Sequence, residues 1–187
     1  AKDFPERDIQ TVKAKASAVE EDVYRELTEL NLSTLDKGRK ASQLLRVTIE
    51  KTLFSSPMAC LSTVNNRIKK LEAKQDPDFE DDLNSLKSFA QALARVSAEH
   101  FSKYQQLLKL ISDKKAGFGW KPNKKDDRIV IFTESIPTLE FLHQQLQADL
   151  GLKPEQIGCL KGQEMSDAEL MQTVEEFGKE QSKLRLL

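Results

Sequence analysis

Apolar residues in the first part of the chain recur every three or four positions, the spacing of one face of an α-helix. Val19, Val23 and Leu27 follow this spacing and predict a helix over about residues 18–30. A second stretch, over about residues 36–53, repeats the pattern at positions 45, 49 and 53. Residues 9–15 alternate weakly between apolar and polar side chains, as an edge or linker strand does.

A well-marked helix start follows at Ser56 and Pro57. Serine is favoured at the N-cap of a helix, and proline is favoured at the first helical position. Beyond Asp76-Pro77-Asp78, a long seam with the same spacing contains two polar members, Ser97 and His100, among Leu83, Leu86, Ala90, Leu93, Tyr104, Leu107 and Ile111. Residues 57–112 therefore predict an antiparallel helical hairpin or a small bundle, with His100 packed and hydrogen-bonded in its core.

The pattern changes in the last third of the chain, where short apolar runs alternate with helical stretches. Residues 128–133 (RIVIFT), 156–162 (QIGCLKG) and 183–187 are expected to be strands. Between them, one helix follows Pro137, and another begins at the capping box formed by Ser166 and Glu169. Short strand–helix–strand connections of this kind are typical of a parallel sheet with right-handed crossovers, so we predict an α/β fold with RIVIF as the central strand, flanked by QIGCL and either KLRLL or residues 9–15.

A loop rich in glycine, proline and lysine separates the two kinds of pattern. It runs through SDKKAGFGWKPNKKDD and contains Trp120, the single tryptophan, which we expect to cover an apolar edge and which could alternatively stack on a base. The sequence thus predicts a mostly helical region over residues 1–125 and part of an α/β domain over residues 126–187.

Composition narrows the class of protein. The chain has 187 residues, of which 39% are hydrophobic and 32% are charged, and no apolar run approaches the length of a membrane span. Two cysteines and two histidines indicate neither a disulfide framework nor a zinc site. We therefore expect a soluble protein of a reducing, cytoplasmic compartment, and the first and last residues suggest a fragment of a longer chain.

The net charge of −1 hides a strong asymmetry. Residues 37–74 contain nine lysines and arginines against two glutamates, whereas residues 126–187 contain six basic residues against twelve acidic ones. A basic segment beside an acidic one suggests that the first faces a polyanion, with Arg67, Lys69 and Lys70 as candidate contacts. The alternative is that these side chains are ordinary solvated charges on surface helices.

Sequence motifs for catalysis are missing. The chain has no G-x-x-x-x-G-K-[ST] phosphate loop, no G-x-G-x-x-G, no H-E-x-x-H and no G-x-S-x-G. Composition and spacing alone therefore predict a helical segment joined to part of a parallel α/β domain, and they predict no function.

A resemblance to a known family extends this interpretation. DRIVIFTESIPTLEFLHQQL, the run ending CLKG, MSDAELMQTVEEFG and KLRLL resemble, in that order, the opening of the second RecA-like lobe of superfamily-two helicases. FPERDIQTVKAKASAVEEDVYRELTEL and LLRVTIEKTLFSSPMACLSTVNNRIKKLE are similar to the crossing segment and the helical insertion between lobes in the Swi/Snf-like branch, especially its bacterial members. The resemblance covers nearly the whole chain.

This resemblance implies an ATP-hydrolysing translocase on nucleic acid, most often duplex DNA, that uses ATP and Mg²⁺ and closes two RecA-like lobes on the nucleotide. Neither half of the implied ATP site falls within the chain, so we assign no catalytic residue, expect no bound cofactor and predict that the chain alone is inactive.

The family's backbone contacts to nucleic acid match Thr133, Ser135, Lys161 and Gly162. Lys161 stands where histidine is usual in the family. The structural alternative is that Gly162 only makes a turn and Ser135 only caps a helix. Two other functions stay open, namely a helical module that recruits further protein subunits, and a motor-like protein that binds nucleic acid without turnover.

Overall fold

A computed structural model describes residues 8–125, 127–162 and 164–187, without the side chains of residues 39–41. Within this part of the chain the structure is mostly helical. Eight α-helices occur there: α1 (Ala18–Glu29), α2 (Ser33–Lys37), α3 (Arg39–Ser55), α4 (Pro57–Glu72), α5 (Glu80–Ala94), α6 (Ser102–Ser112), α7 (Ile136–Asp149) and α8 (Asp167–Gly178). Short 3₁₀-helices occupy Pro77–Phe79 and Pro154–Gln156.

Serine side chains fix the start of four helices. Ser56 accepts a hydrogen bond from the Ala59 N–H at 3.0 Å, with Pro57 at the first helical position, so the predicted start of α4 is confirmed. Ser17 and Ser166 each form a capping box, and the one at Ser166 confirms the predicted start of α8. Ser135 caps α7.

The long seam predicted over residues 83–111 is not one helix. α5 ends at Ala94 and α6 begins at Ser102. In the turn between them, Val96 and Phe101 supply the buried side chains, whereas Ser97 is exposed and His100 is half-buried. The hydroxyl of Ser97 and Nδ1 of His100 lie 3.0 Å apart. The expected core position of His100 is therefore wrong, because the polar members of the seam fall where the helix breaks.

Helix α4 packs against α5, which confirms a helical hairpin within residues 57–112. The bundle to which this hairpin belongs also includes α3 and α1, which lie outside the predicted range. The same core continues into the last third of the chain, where Leu146, Leu152, Ile157 and Leu186 are buried. Residues on both sides of position 125 thus contribute to one core, and the division into 1–125 and 126–187 stays a prediction.

Helix α7 is docked on the upstream helices through specific polar and aromatic contacts. The hydroxyls of Thr138 and Ser56 are hydrogen-bonded at 2.7 Å. The Tyr104 hydroxyl of α6 donates to the Asp149 carboxylate at 2.5 Å, and the Tyr104 ring meets Phe141 edge-on with 5.2 Å between centroids.

The predicted α/β fold with a partial RecA-like parallel sheet is wrong. The structure is 60% helical with only 2% strand and contains no sheet in its described part. Among the described residues, the three expected strands meet at single parallel bridges, Ile129 with Leu186 and Ile157 with Leu186. One further hydrogen bond extends the first pairing, from the Ile131 N–H to the Leu187 carbonyl at 2.8 Å. The segment near Leu186 therefore lies between the other two, so RIVIF is not central, and residues 9–15 form no strand beside it.

The predicted sheet is absent because its strand segments pair over too few residues and because one of their faces is not covered by another layer. Buried parallel sheets need layers on both faces. Here Ile129 and Ile131 turn toward the core, but Phe132 is 92% exposed and Val130 is also exposed. Helix α8 buries no residue, so it does not form the second layer. The β-branched run has strand propensity without the neighbours that would extend its pairing.

Trp120 is 4% exposed, and its indole N–H donates to the Asp127 carbonyl at 3.1 Å. Its predicted role in covering an apolar edge is confirmed. None of the helices in the described ranges has the length and apolar character needed to cross a membrane.

Candidate nucleic-acid interface

The basic candidates Arg67, Lys69 and Lys70 lie in the last two turns of α4. Consecutive residues of an α-helix are about 100° apart around the axis, so Lys69 lies on a different side from Arg67 and Lys70. Arg67 and Lys70 border an open groove between α3 and α4, whose other lining residues are Leu44, Leu45, Thr48, Thr63 and Asn66. The structure therefore brings two of the three predicted contacts together and separates the third.

The charges of this cluster are not neutralised by the residues around them. Among the described residues, Arg67, Lys69 and Lys70 make no ion pair, and Lys69 and Lys70 are exposed. Arg46, from the same basic segment, is instead bonded to Asp36 at 2.9 Å. The three cations at the end of α4 are therefore free to bind an anionic ligand, whereas Arg46 is already bound to Asp36.

Arg67 also carries a buried donor without a partner. Its Nε is buried and has no hydrogen-bond acceptor among the described residues. A buried donor left unsatisfied costs about 1–3 kcal/mol. Because Nε is buried, a ligand in the groove would reach the terminal nitrogens of the Arg67 guanidinium and not this donor.

The second predicted group, Thr133, Ser135, Lys161 and Gly162, lies around the start of α7. The Ser135 N–H donates to the Thr133 hydroxyl at 3.3 Å, and the Ser135 hydroxyl accepts from the Thr138 N–H at 3.5 Å. Ser135 thus has the capping role of the structural alternative. Its backbone also begins a helix whose N-terminal N–H groups attract anions.

Lys161 is joined to the same end of α7 by an ion pair. Its ammonium lies 2.5 Å from Glu140 and 3.4 Å from Glu164. The hydrogen bond to Glu140 is the main reason that the pKa of Lys161 lies above the ordinary lysine value of 10.5. A phosphate would have to compete with two carboxylates for this charge, so Lys161 is the weakest of the predicted contacts.

Gly162 follows in an exposed turn. Apart from its chain neighbours, no atom of the described residues lies within 4 Å of the place where a Cβ on Gly162 would sit. The fold itself therefore has room for a side chain at this position, so a substitution there tests close approach by a ligand without crowding the protein.

The two groups lie near opposite ends of α4. The contact of Ser56 with Thr138 places the start of α7 beside the first turn of α4. Arg67 is ten residues further along that helix, which corresponds to about 15 Å. The structure therefore offers two separate contact areas along α4.

The described residues do not fit a site for ATP and Mg²⁺. They include no group of three or more histidine, cysteine, aspartate or glutamate side chains able to hold a metal ion. The glycines of the chain follow no phosphate-loop pattern.

The sequence analysis did not identify Phe118 as an exposed aromatic side chain. The structure buries Trp120 and exposes Phe118, two residues earlier in the same lysine-rich loop. The glycines that flank Phe118 were the available signal, because they allow a tight turn with an outward tip.

No family model matches this chain, and no curated protein or solved structure matches it either.

Proposed function

We propose that this chain is a nucleic-acid-contacting part of an ATP-dependent translocase that acts on duplex DNA. The observation that carries the DNA contact is the cluster of three cations at the end of α4, Arg67, Lys69 and Lys70. None of them makes an ion pair among the described residues, whereas Arg46 and Lys161, two other candidates for contact with a polyanion, are paired with carboxylates. The translocase itself rests on the resemblance of the ordered sequence motifs alone, since the described residues form no RecA-like sheet.

In this proposal, the chain binds the phosphodiester backbone and supplies no chemistry. Arg67 and Lys70 contact neighbouring phosphates from the groove side of α4. The start of α7, with Thr133, Ser135 and Gly162, contributes N–H groups, while Lys161 contributes little because Glu140 and Glu164 hold it. Contacts of this kind position a protein on DNA without reading its sequence.

The test is a salt titration of duplex binding. The anisotropy of a labelled 20-base-pair duplex is measured at several salt concentrations with the wild-type chain and with the variant R67Q/K69Q/K70Q. Each phosphate contact contributes about 0.9 to the slope of log K against log salt, so loss of three contacts lowers the slope by up to about 2.7. Because Lys69 lies on another side of α4, R67Q/K70Q should account for about 1.8 of this.

A matched control comes from lysines elsewhere in the chain. The variant K13Q/K153Q/K183Q removes the same number of charges from three exposed lysines that make no ion pair among the described residues. It should leave the slope unchanged, with circular dichroism showing that each variant is folded. If the two triple variants bind alike, general charge and not this cluster governs binding, and the proposed interface is wrong.

Recruitment of protein subunits is a second candidate function, favoured by an apolar stripe on α3. Leu44, Val47 and Phe54 lie on one side of this helix and are all exposed. The same titration distinguishes the two functions. Unchanged duplex binding by R67Q/K69Q/K70Q would overturn the DNA contact and favour this stripe as the functional surface.

A further inference from the structure

The loop that follows α6 has a conformation fixed by its backbone. Three successive N–H groups donate to carbonyls at the end of that helix and just beyond it, those of Phe118 to Leu110 at 2.8 Å, Gly119 to Asp113 at 2.9 Å and Trp120 to Ile111 at 2.8 Å. The Asp113 carboxylate in turn accepts from the N–H groups of residues 115 and 116. The tip of the loop is therefore held against the helix by hydrogen bonds on both sides.

Two glycines make this conformation specific. A Cβ on Gly117 would lie 2.2 Å from the Leu110 carbonyl oxygen, which is far inside van der Waals contact. Gly119 has a φ of +55°, a backbone conformation that favours glycine. The turn thus depends on glycine on each side of Phe118.

The aromatic residues on either side of Gly119 have opposite environments. Trp120 is buried and anchors the loop through its indole N–H. Phe118 is 70% exposed. The loop therefore holds one ring in the core and presents the other to solvent from a fixed backbone.

Lysines precede and follow Phe118 in the sequence. Residues 114–125 contain five lysines, Lys114, Lys115, Lys121, Lys124 and Lys125, and no acidic residue. All five are exposed. Among the described residues, only Lys124 of these five has a carboxylate partner, Asp127 at 4.0 Å.

We propose that Phe118 and the lysines around it form a binding site for single-stranded nucleic acid. A base stacks on the Phe118 ring, and Lys114, Lys115 and Lys121 bind the neighbouring phosphates. Exposed aromatic rings among cations are how proteins bind single strands without sequence preference, because every base has a face that can stack. The fixed backbone reduces the entropy lost on binding.

This site goes beyond the proposed duplex contact and does not depend on it. The bases of a duplex are stacked on one another, so they offer no free face to Phe118. The unpaired bases of a single strand do offer such a face. Binding at this loop does not involve Arg67 or Lys70.

The experiment compares two labelled strands of fifteen nucleotides, oligo(dT) and an abasic strand with the same phosphates. F118A should weaken oligo(dT) binding about fivefold or more, since one stacked base contributes about 1–3 kcal/mol. It should leave binding of the abasic strand within twofold. F118Y should bind oligo(dT) like the wild type, because it keeps an aromatic face.

Two further variants separate stacking from charge and from general hydrophobicity. K114Q/K115Q should weaken both strands and lower the salt slope by about 1.4, at about 0.7 for each phosphate of a single strand. M171A removes a large apolar side chain that is 66% exposed on α8 and should change binding of neither strand. Fluorescence of the buried Trp120 reports whether each variant keeps the loop folded.

The proposal is overturned if the wild type does not bind oligo(dT) at low salt, or if F118A binds it like the wild type. It is also overturned if F118A weakens both strands equally, since that result would show a disturbed loop and no stacking. If F118A instead abolishes self-association in sedimentation experiments and leaves oligo(dT) binding unchanged, Phe118 belongs to a protein contact. The outcome for duplex binding by R67Q/K70Q is independent of all these results.

Discussion

Replacing Tyr104 with phenylalanine should weaken the docking of α7 on α6 by a definite amount. The Tyr104 side chain is 1% exposed, and its hydroxyl donates to the Asp149 carboxylate at 2.5 Å. A hydrogen bond to a charged group contributes about 1.5–3 kcal/mol. Asp149 is exposed and also accepts from Gln145 at 3.1 Å, so it stays solvated when the phenol is lost. We therefore expect the low end of that range, about 1.5 kcal/mol.

The assay is urea unfolding followed by circular dichroism, together with thermal unfolding. For a chain of this length, 1.5 kcal/mol corresponds to a fall in Tm of about 3–6 °C. The other tyrosine of the chain, Tyr24, is a matched control, because its hydroxyl makes no hydrogen bond among the described residues. Y24F should stay within about 0.5 kcal/mol of the wild type. Equal losses in Y104F and Y24F, or no loss in Y104F, would refute the reasoning.

The same hydrogen bond has a signature at high pH. Burial first, and then the bond to Asp149, raise the pKa of Tyr104 above the ordinary tyrosine value of 10.0. A group whose pKa is raised by folding stabilises the protein fully below its unfolded pKa and loses that contribution as the pH rises. The stability of the wild type should therefore fall above about pH 10, and Y104F should show a smaller fall.

Three further predictions concern other parts of the chain. Burial raises the pKa of the Cys60 thiol to about 12, so a thiol reagent at pH 8 should modify the half-buried Cys159 first and Cys60 only on unfolding, whereas equal rates would contradict the packing of α4. Gly117→Ala should lower the unfolding free energy by about 2 kcal/mol and Gly162→Ala should not, because only the first meets backbone atoms; urea midpoints compare the two. The purified chain should show no ATPase activity above background in a phosphate-release assay, and turnover that survives repurification would overturn the proposal that the chain supplies contacts and no chemistry.

Features that depend on neighbouring residues were predictable from the sequence. The capping box at Ser166 and the serine–proline start at Ser56 are local, since their hydrogen bonds join residues three positions apart. The spacing of Val19, Val23 and Leu27 is likewise local and gave α1 within one residue of its observed end.

Features that depend on distant residues were not predictable in the same way. RIVIFT has the composition of a buried strand, but a sheet also needs partners that pair along it and layers that cover it, and Phe132 has no such cover. Lys161 looked like a free cation because Glu140, its main partner, lies 21 residues away in the sequence. The burial of Trp120 was predicted, but the exposure of Phe118 depends on the turn that Gly117 and Gly119 make against the end of α6, and the sequence analysis did not use that signal.

The measurement that tests the central claim most directly is the affinity of the wild-type chain for duplex DNA as a function of salt. If the unpaired cations of α4 bind phosphates, the chain should bind weakly at low salt, and log K should fall linearly with log salt with a slope of about −2 to −3. R67Q/K70Q should reduce the magnitude of that slope by about 1.8. Absence of binding at low salt, or a slope that R67Q/K70Q leaves unchanged, would contradict the claim.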